Sequence, residues 1–564
     1  MIKGTIYHFS FNLTNPHLNQ PPGDVHISAL PLAGSGARIA AQRMHANGTI
    51  LGVVDGAIPL KCVIPSFRSS IVVQSNPIVG LRNIITVSLK ANVNVAASEN
   101  SFVVIAGFRN AVSMSIVTLL QTNTNTGHLL FGYSGVAGTA LFENESLNLT
   151  VMLGETMRAE VVYVFAFELL NPPDSQPNPD IVFSASGTAQ FDPEIIVGAH
   201  LTVIGVVNGS NAMLLVKPTF SVRNIEQSHP FSGHLNTFSC SIMTNVNLAS
   251  EPRHYLHHTY PGNSLISISS FTDAIGPNII SLDTTPGGRG ADALFSDGTA
   301  PSTASYSNGT VTMNFARNKT LVAFVMYVVT FQIRNPMYEQ YLTETIISIS
   351  AEGSANISRA RFATANKVLY GIPNGTNPLV LVQTAFATAE ITQSTPLTTL
   401  VNTLTIALKA SFALAWSDRA VITITNIFNG VVAGSSLVLG GNGSSLLCSA
   451  PLCDSASTGH VLYLSNTLSL YVAENQTVLK DHLYVFSFNI VNPRLNQGQG
   501  SVSILAVCST GSQASIQARR MHMRNATLLG VEHGSNPLLV VIPSFMRRCK
   551  MYIMHTCVCG CVCA

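Results

Sequence analysis

Self-similarity at domain length constrains this chain more than any other feature. The stretch YHFSFNLTNP from Tyr7 returns as YVFAFELLNP from Tyr163, YVVTFQIRNP from Tyr327 and YVFSFNIVNP from Tyr484, a period of about 160 residues. Each copy ends in Asn-Pro, at Asn15-Pro16, Asn171-Pro172, Asn335-Pro336 and Asn492-Pro493. A fold of this chain must therefore be one unit, copied in tandem.

Further signatures recur at fixed offsets. LGVVDGAIPLKCVIPSF from Leu51 returns from Ile204, Tyr370 and Leu529, with Asp55, Asn208, Asn374 or His533 before a glycine. Such pairs supply the positive φ of a tight turn, which predicts a β-hairpin here. TVSLKANVNVA from Thr86, SCSIMTNVNLA from Ser239 and TIALKASFALA from Thr405 alternate apolar and polar residues, as half-buried strands do. About seven or eight short, β-branched strands per unit, separated by Gly, Pro, Asn and Ser, predict an all-β fold of tandem antiparallel, Ig-like β-sandwich modules. Apolar residues make up 46% of the chain and charged residues 10%, enough to fill a core in each unit. One large sandwich or two small ones per repeat both fit that length.

Gln74, Gln227 and Gln393 each open a Gln-Ser-x-Pro stretch. Proline cannot donate to a sheet ladder, so these stretches suit strand ends and linkers. The expected division is a partial module at 1–76, modules at 77–230, 231–395 and 396–545, and a Cys-rich tail at 546–564. On that division the chain starts in mid-repeat, and the natural product is expected to extend upstream or to start elsewhere than Met1.

The tail carries Cys549, Cys557, Cys559, Cys561 and Cys563. Alternating thiolates suit a soft metal ion, but TG-repeat DNA also translates as Cys-Val-Cys-Val, and the tail begins where the repeat breaks off. Read-through of non-coding sequence is the expectation. Cys62, Cys240, Cys448, Cys453 and Cys508 recur at no equivalent position, so no disulfide framework belongs to the module. Cys448 and Cys453 are close enough in sequence for a local bridge in an oxidising compartment.

Twelve Asn-x-Ser/Thr sequons, at Asn12, Asn47, Asn144, Asn148, Asn208, Asn308, Asn318, Asn356, Asn374, Asn442, Asn475 and Asn525, mark positions for glycosylation on a secreted or cell-surface chain. A net charge of +2 without a basic block offers no footprint for nucleic acid. The run LVAFVMYVVTF from Leu321 is too short to span a membrane as a helix.

Motifs for catalysis do not recur. No nucleophile elbow, phosphate loop, zinc-protease helix or EF-hand is present, and the acidic residues are scattered differently in each copy. Asp24, Asp180 and Glu344 precede strands at similar places, which reads as a turn preference. No cofactor and no enzymatic role are expected. His254, His257 and His258 would converge on a metal only if their loop were helical, and the reading for them is a solvated loop. Trp416, the only tryptophan, is either an exposed contact for a partner or a packing residue between modules. Tyr7, Tyr163, Tyr327 and Tyr484, with the Phe four residues on, read as core. The Asn-Pro pairs read as turn chemistry.

The combination of x-V-F-x-F-x-L-x-N-P with a later T-L-T-V-x-L and V-I-x-I-x-G resembles the long tandem repeats of uncharacterised surface-type proteins of unicellular algae and other protists. The resemblance implies a large, modular, secreted or surface-exposed β protein and transfers no functional residue. The sequence thus points to a structural or adhesive array of the cell surface or extracellular matrix, with surface glycans or proteins as partners. A carbohydrate-binding appendage of a larger enzyme and a virion or filament subunit are the alternatives.

Overall fold

The computed structural model describes residues 1–544, apart from 32–37, 123–126, 197, 251–252, 256–257, 261–262, 284–291, 342–345, 429–434, 452 and 454–456. The chain is all-β. Three modules follow one another, here called I, II and III, and each opens with the same three-stranded sheet. In module I the strand Arg82–Ala91 runs between Phe67–Gln74 and Tyr163–Leu170. Leu235–Thr244 does so between Phe220–Gln227 and Tyr327–Arg334 in module II, and Val401–Ala410 between Phe386–Gln393 and Tyr484–Val491 in module III. All of these pairings are antiparallel.

Period-two alternation builds the inner face of this sheet. Ile85, Val87 and Leu89 of the central strand and Phe165, Phe167 and Leu169 of the tyrosine strand are all fully or almost fully buried. They face a second antiparallel sheet. In module I its path runs Phe191–Ile195, Val182–Ser186, Phe102–Ala106, Ser146–Val151, Thr139–Glu143, Ile116–Thr118. In module II the two sheets join at one edge, where Leu282 pairs with Phe331 and Asp283 with Thr330. One contiguous apolar cluster fills each module, so a repeat is a single sandwich, not two.

Two sequence expectations need correction. The Asp-Gly signature does not form a strand hairpin. Its residues make a compact knot of tight turns, held by bonds such as Val206 N–H to Val203 O (2.9 Å) and Gly209 N–H to Val206 O (3.0 Å). Three non-glycine residues per knot are left-handed: in module I Ile204 (φ 54°), Asn208 (φ 57°) and Met213 (φ 63°). Turn chemistry was legible there, but three left-handed residues spread over positions 204–213 set one tight turn after another and leave no run long enough for flanking strands.

The second correction concerns module ends. Each Gln-Ser-x-Pro stretch connects two strands that pair with each other, Phe67–Gln74 with Arg82–Ala91 for example. Cuts at 76, 230 and 395 would therefore divide a sheet. The modules span about 67–216, 220–382 and 386–541, each beginning at the Phe that follows a knot. Proline ends a strand equally well inside a domain and at its border, which is why the signal misleads.

Residues 1–64 carry the same pattern in a different setting. The Tyr7 hydroxyl accepts the Ile2 N–H at 2.8 Å, as Tyr163 accepts Arg158 N–H (2.9 Å) and Tyr484 accepts Leu479 N–H (3.1 Å). Yet Tyr7, Phe9 and Phe11 are exposed, which corrects the reading of Tyr7 and Phe11 as core: among the described residues no central strand lies beside them. His26–Ala29 and Ile39–Arg43 pair as a short ladder, and a knot at residues 50–60 completes the segment.

Candidate functional site

Recurrence itself locates the residues that every module needs, and they lie inside. Gln74, Asn83 and Asn171 are 3%, 0% and 1% exposed, and they form a buried amide lattice that ties together three distant parts of module I. The Gln74 side-chain N–H2 donates to the Gly209 and Leu214 carbonyls of the knot, at 2.9 and 2.8 Å. Its oxygen accepts from Met213 N–H and from Asn83 Nδ2, both at 2.9 Å. Asn83 Nδ2 also donates to Asn171 Oδ1 (2.9 Å), and Asn171 Nδ2 donates to the Asn76 and Ile78 carbonyls (2.9 and 2.7 Å).

The same lattice is built by Gln227, Asn236 and Asn335 in module II and by Gln393, Asn402 and Asn492 in module III. Every amide donor in it is used, as burial requires. The Asn of Asn-Pro thus serves the Gln-Ser-x-Pro turn of a neighbouring strand pair and not its own turn. The Gln, read from sequence as a linker residue, is core. The first lattice Asn was missed although a signal existed: in all three copies an Asn follows the Gln at a fixed spacing of nine residues.

The other sequence candidates do not converge. His254 lies in the strand Arg253–Tyr255 and His258 in His258–Tyr260. Those strands pair antiparallel, with His254 opposite Thr259 and Tyr255 opposite His258. The helical spacing that a zinc site would need is therefore not formed, and His257 lies outside the described residues. So do Glu344 and the five tail cysteines. Among the described residues no group of three His, Cys, Asp or Glu comes together to hold a metal ion.

Cys448 and Cys453 are joined in a disulfide. Cys62, Cys240 and Cys508 are buried free thiols; burial pushes the Cys240 thiol up, and the Cys508 thiol up to about 11. Trp416 opens a short 3-10 turn and is half-buried against the module III core. Next to it Asp418 is buried, its Oδ2 without a hydrogen-bond partner among the described residues, and burial holds its carboxyl above the usual carboxylate range. Among the sequon asparagines Asn12, Asn47, Asn144, Asn308, Asn318, Asn356, Asn374, Asn442, Asn475 and Asn525 are exposed, while Asn148 and Asn208 are half-buried.

Open clefts differ between modules. One of about 600 Å³ in module II is lined by polar groups including Asp273, Asn278, Tyr306 and Asn308. Another of about 620 Å³ in module I is lined by Val112, Met114, Ile116 and Leu170, with Arg82 and Glu168 paired at its rim (3.0 Å).

No family model and no curated protein matches the chain. Several solved structures resemble it at low identity. The C-terminal domain of the AgI/II polypeptide BspA of Streptococcus agalactiae is 8% identical, covers 53% of this chain and 99% of its own, and has a TM-score of 0.30. A putative membrane-anchored protein of Corynebacterium diphtheriae is 8% identical over 81% of this chain and 91% of its own, at 0.19. The collagen adhesin of S. aureus is 6% identical over 54% and 92%, at 0.15. Scores this low carry no weight for function, which is argued from the chain itself.

Proposed function

We propose that this chain is a structural or adhesive array of the cell surface or extracellular matrix, without enzymatic activity, akin to the surface-type repeat proteins of algae and protists that its motifs resemble. The observation that carries the reading is the threefold recurrence of one buried amide lattice beneath outer surfaces that differ. What is repeated among the described residues is architecture. Tandem copies of a weak contact add reach and avidity. The Cys448–Cys453 disulfide and the exposed sequons support an oxidising, secretory route and a glycoprotein. Surface glycans or proteins are the partners of this reading.

Antibody raised against the full chain tests it on intact cells of the source organism. Labelling without permeabilisation, removed by protease treatment of the cell surface, is the expected result; labelling only after permeabilisation overturns it. The carbohydrate-binding alternative would instead show saturable glycan binding by the purified chain. The filament alternative would show concentration-dependent assembly in light scattering.

A further inference from the structure

Tandem domains joined by short linkers move relative to one another unless something fixes the joint. Here the same fixing contacts occur three times. At the joint between modules I and II, Asn245 and Asn247 stand just past the end of the central strand Leu235–Thr244. Asn245 grips the linker: its Oδ1 accepts Thr219 N–H (2.7 Å), its Nδ2 donates to Lys217 O (2.9 Å), and its own N–H donates to Thr219 O (3.2 Å). Asn247 grips the preceding module: its N–H donates to the Ile204 carbonyl of the module I knot (2.9 Å), while its Oδ1 accepts Ala323 N–H (2.8 Å) within module II.

Asn92 and Asn94 repeat this arrangement between the first segment and module I. Asn92 bonds to Ser66 N–H (2.9 Å) and Ile64 O (2.8 Å), and Asn94 N–H donates to Leu51 O (2.7 Å). Between modules II and III the Asn-x-Asn pair is replaced by Ser411-Phe412-Ala413. Ser411 still holds Ala385 N–H and Gln383 O (2.9 and 2.7 Å), and Ala413 N–H still reaches Tyr370 O (2.8 Å). Rings add to these contacts: Phe231 packs on Phe412 and Tyr370 with centroids 4.9 and 5.5 Å apart.

The glycine after each knot's left-handed residue shows how tightly the halves meet. A Cβ on Gly52 would lie 2.3 Å from Asn94 Oδ1 and 2.6 Å from the Ala159 Cβ, and one on Gly205 would lie 2.3 Å from Asn247 Oδ1 and 2.6 Å from the Ala323 Cβ. At Gly371 the nearest atoms are the Cβ atoms of Ala413 and Lys480, at 3.1 and 3.2 Å. Gly530, in the fourth knot, has the same backbone angle as Gly205 (φ 78°) and nothing among the described residues within 4 Å.

We infer that this knot-to-strand-end contact is a docking interface, that its partner is the x-Gly turn of the preceding module, and that it locks successive modules into a stiff rod. All three joints keep the backbone bond to the knot, and the third adds aromatic packing. The inference is independent of what the array adheres to, because it concerns only how reach is maintained.

The test compares Gly205→Val with Gly530→Val in the full chain. Both substitutions strain the same left-handed backbone, so the loss of stability that each causes in its own module, read by calorimetry, reports that strain, and the excess at Gly205 reports the contact with Asn247 and Ala323. The readouts are hydrogen exchange of the Asn247 amide and the distribution of distances between labels on modules I and II. Gly205→Val is expected to raise Asn247 exchange about tenfold or more, the loss of a bond of ordinary strength, and to broaden the distance distribution; Gly530→Val is expected to change neither. Asn247→Ala, which imports the residue of the third joint, is the milder second variant should Gly205→Val fail to fold, and it is expected to broaden the distribution less. A broad distribution in the unsubstituted chain overturns the inference, as does an equal response to Gly205→Val and Gly530→Val.

Discussion

Gln227→Met tests the amide lattice directly, because methionine matches glutamine in length but can neither donate nor accept as an amide does. The substitution strands the Gly375 and Val380 carbonyls, the Leu379 N–H and one hydrogen of Asn236 Nδ2, which Gln227 satisfies at 2.9, 2.9, 3.1 and 3.0 Å. At about 1–3 kcal/mol for each buried orphan, four of them cost about 4–12 kcal/mol. Burying the apolar thioether end returns about 1–3 kcal/mol, leaving a net loss of about 1–11 kcal/mol, centred on about 6 kcal/mol. That is a large part of the roughly 5–15 kcal/mol that holds a domain folded. For a module of this size about 1 kcal/mol corresponds to about 2–4 °C, so the central value shifts the transition by about 12–24 °C.

Differential scanning calorimetry of the full chain reads this as a downward shift of one transition, that of module II. The control is Glu226→Met, one residue earlier on the same strand, which removes only the surface pair with Lys367 (3.2 Å) and is expected to cost at most about 1 kcal/mol. Gln74→Met and Gln393→Met are expected to do the same to modules I and III, since their contacts are equivalent. If Gln227→Met moves the transition no further than Glu226→Met, the lattice is not what closes the knot onto the sheet.

Reduction of Cys448–Cys453, which closes a loop with a sequence separation of 5, is expected to destabilise module III by about 2 kcal/mol on the loop-entropy model and to leave modules I and II unmoved; a shift of all three transitions contradicts this. Asp418 sets a pH dependence. Its folded pKa is raised by burial, so its contribution to stability is fully present below the unfolded value of about 3.9 and is lost as pH rises through the folded value. Module III should therefore melt earlier at neutral pH than just above pH 4 in this respect, and Asp418→Asn should flatten that slope; an unchanged slope rejects the assignment. Expression in a eukaryotic secretory host is expected to add N-glycans at exposed sequons such as Asn356 and Asn475, read as a mass loss on enzymatic deglycosylation, and modification confined to the half-buried Asn148 and Asn208 would contradict the surface described.

The tandem array, the β class and the tyrosine strand were legible because they rest on local pattern. Alternation buries one side of a strand wherever its partner lies, and four aligned copies make that pattern plain. The roles of Gln74, Asn83 and Asn94 were not legible in the same way. A buried glutamine and a linker glutamine look alike in sequence, and only the fold brings Gln74 against Gly209 and Leu214, more than a hundred residues away. Asn94 depends on a neighbouring module for its partner at Leu51.

Sequence by itself determined the repeat, its alternating strands outside the knots and its turn residues, since these follow from side-chain size, branching and preferred φ over a few residues. Tertiary structure alone decided where each module ends, that its core contains a satisfied amide lattice, and that its knot docks on the next strand end. Those outcomes depend on which polar groups lose water together, and that is fixed only when distant segments pack.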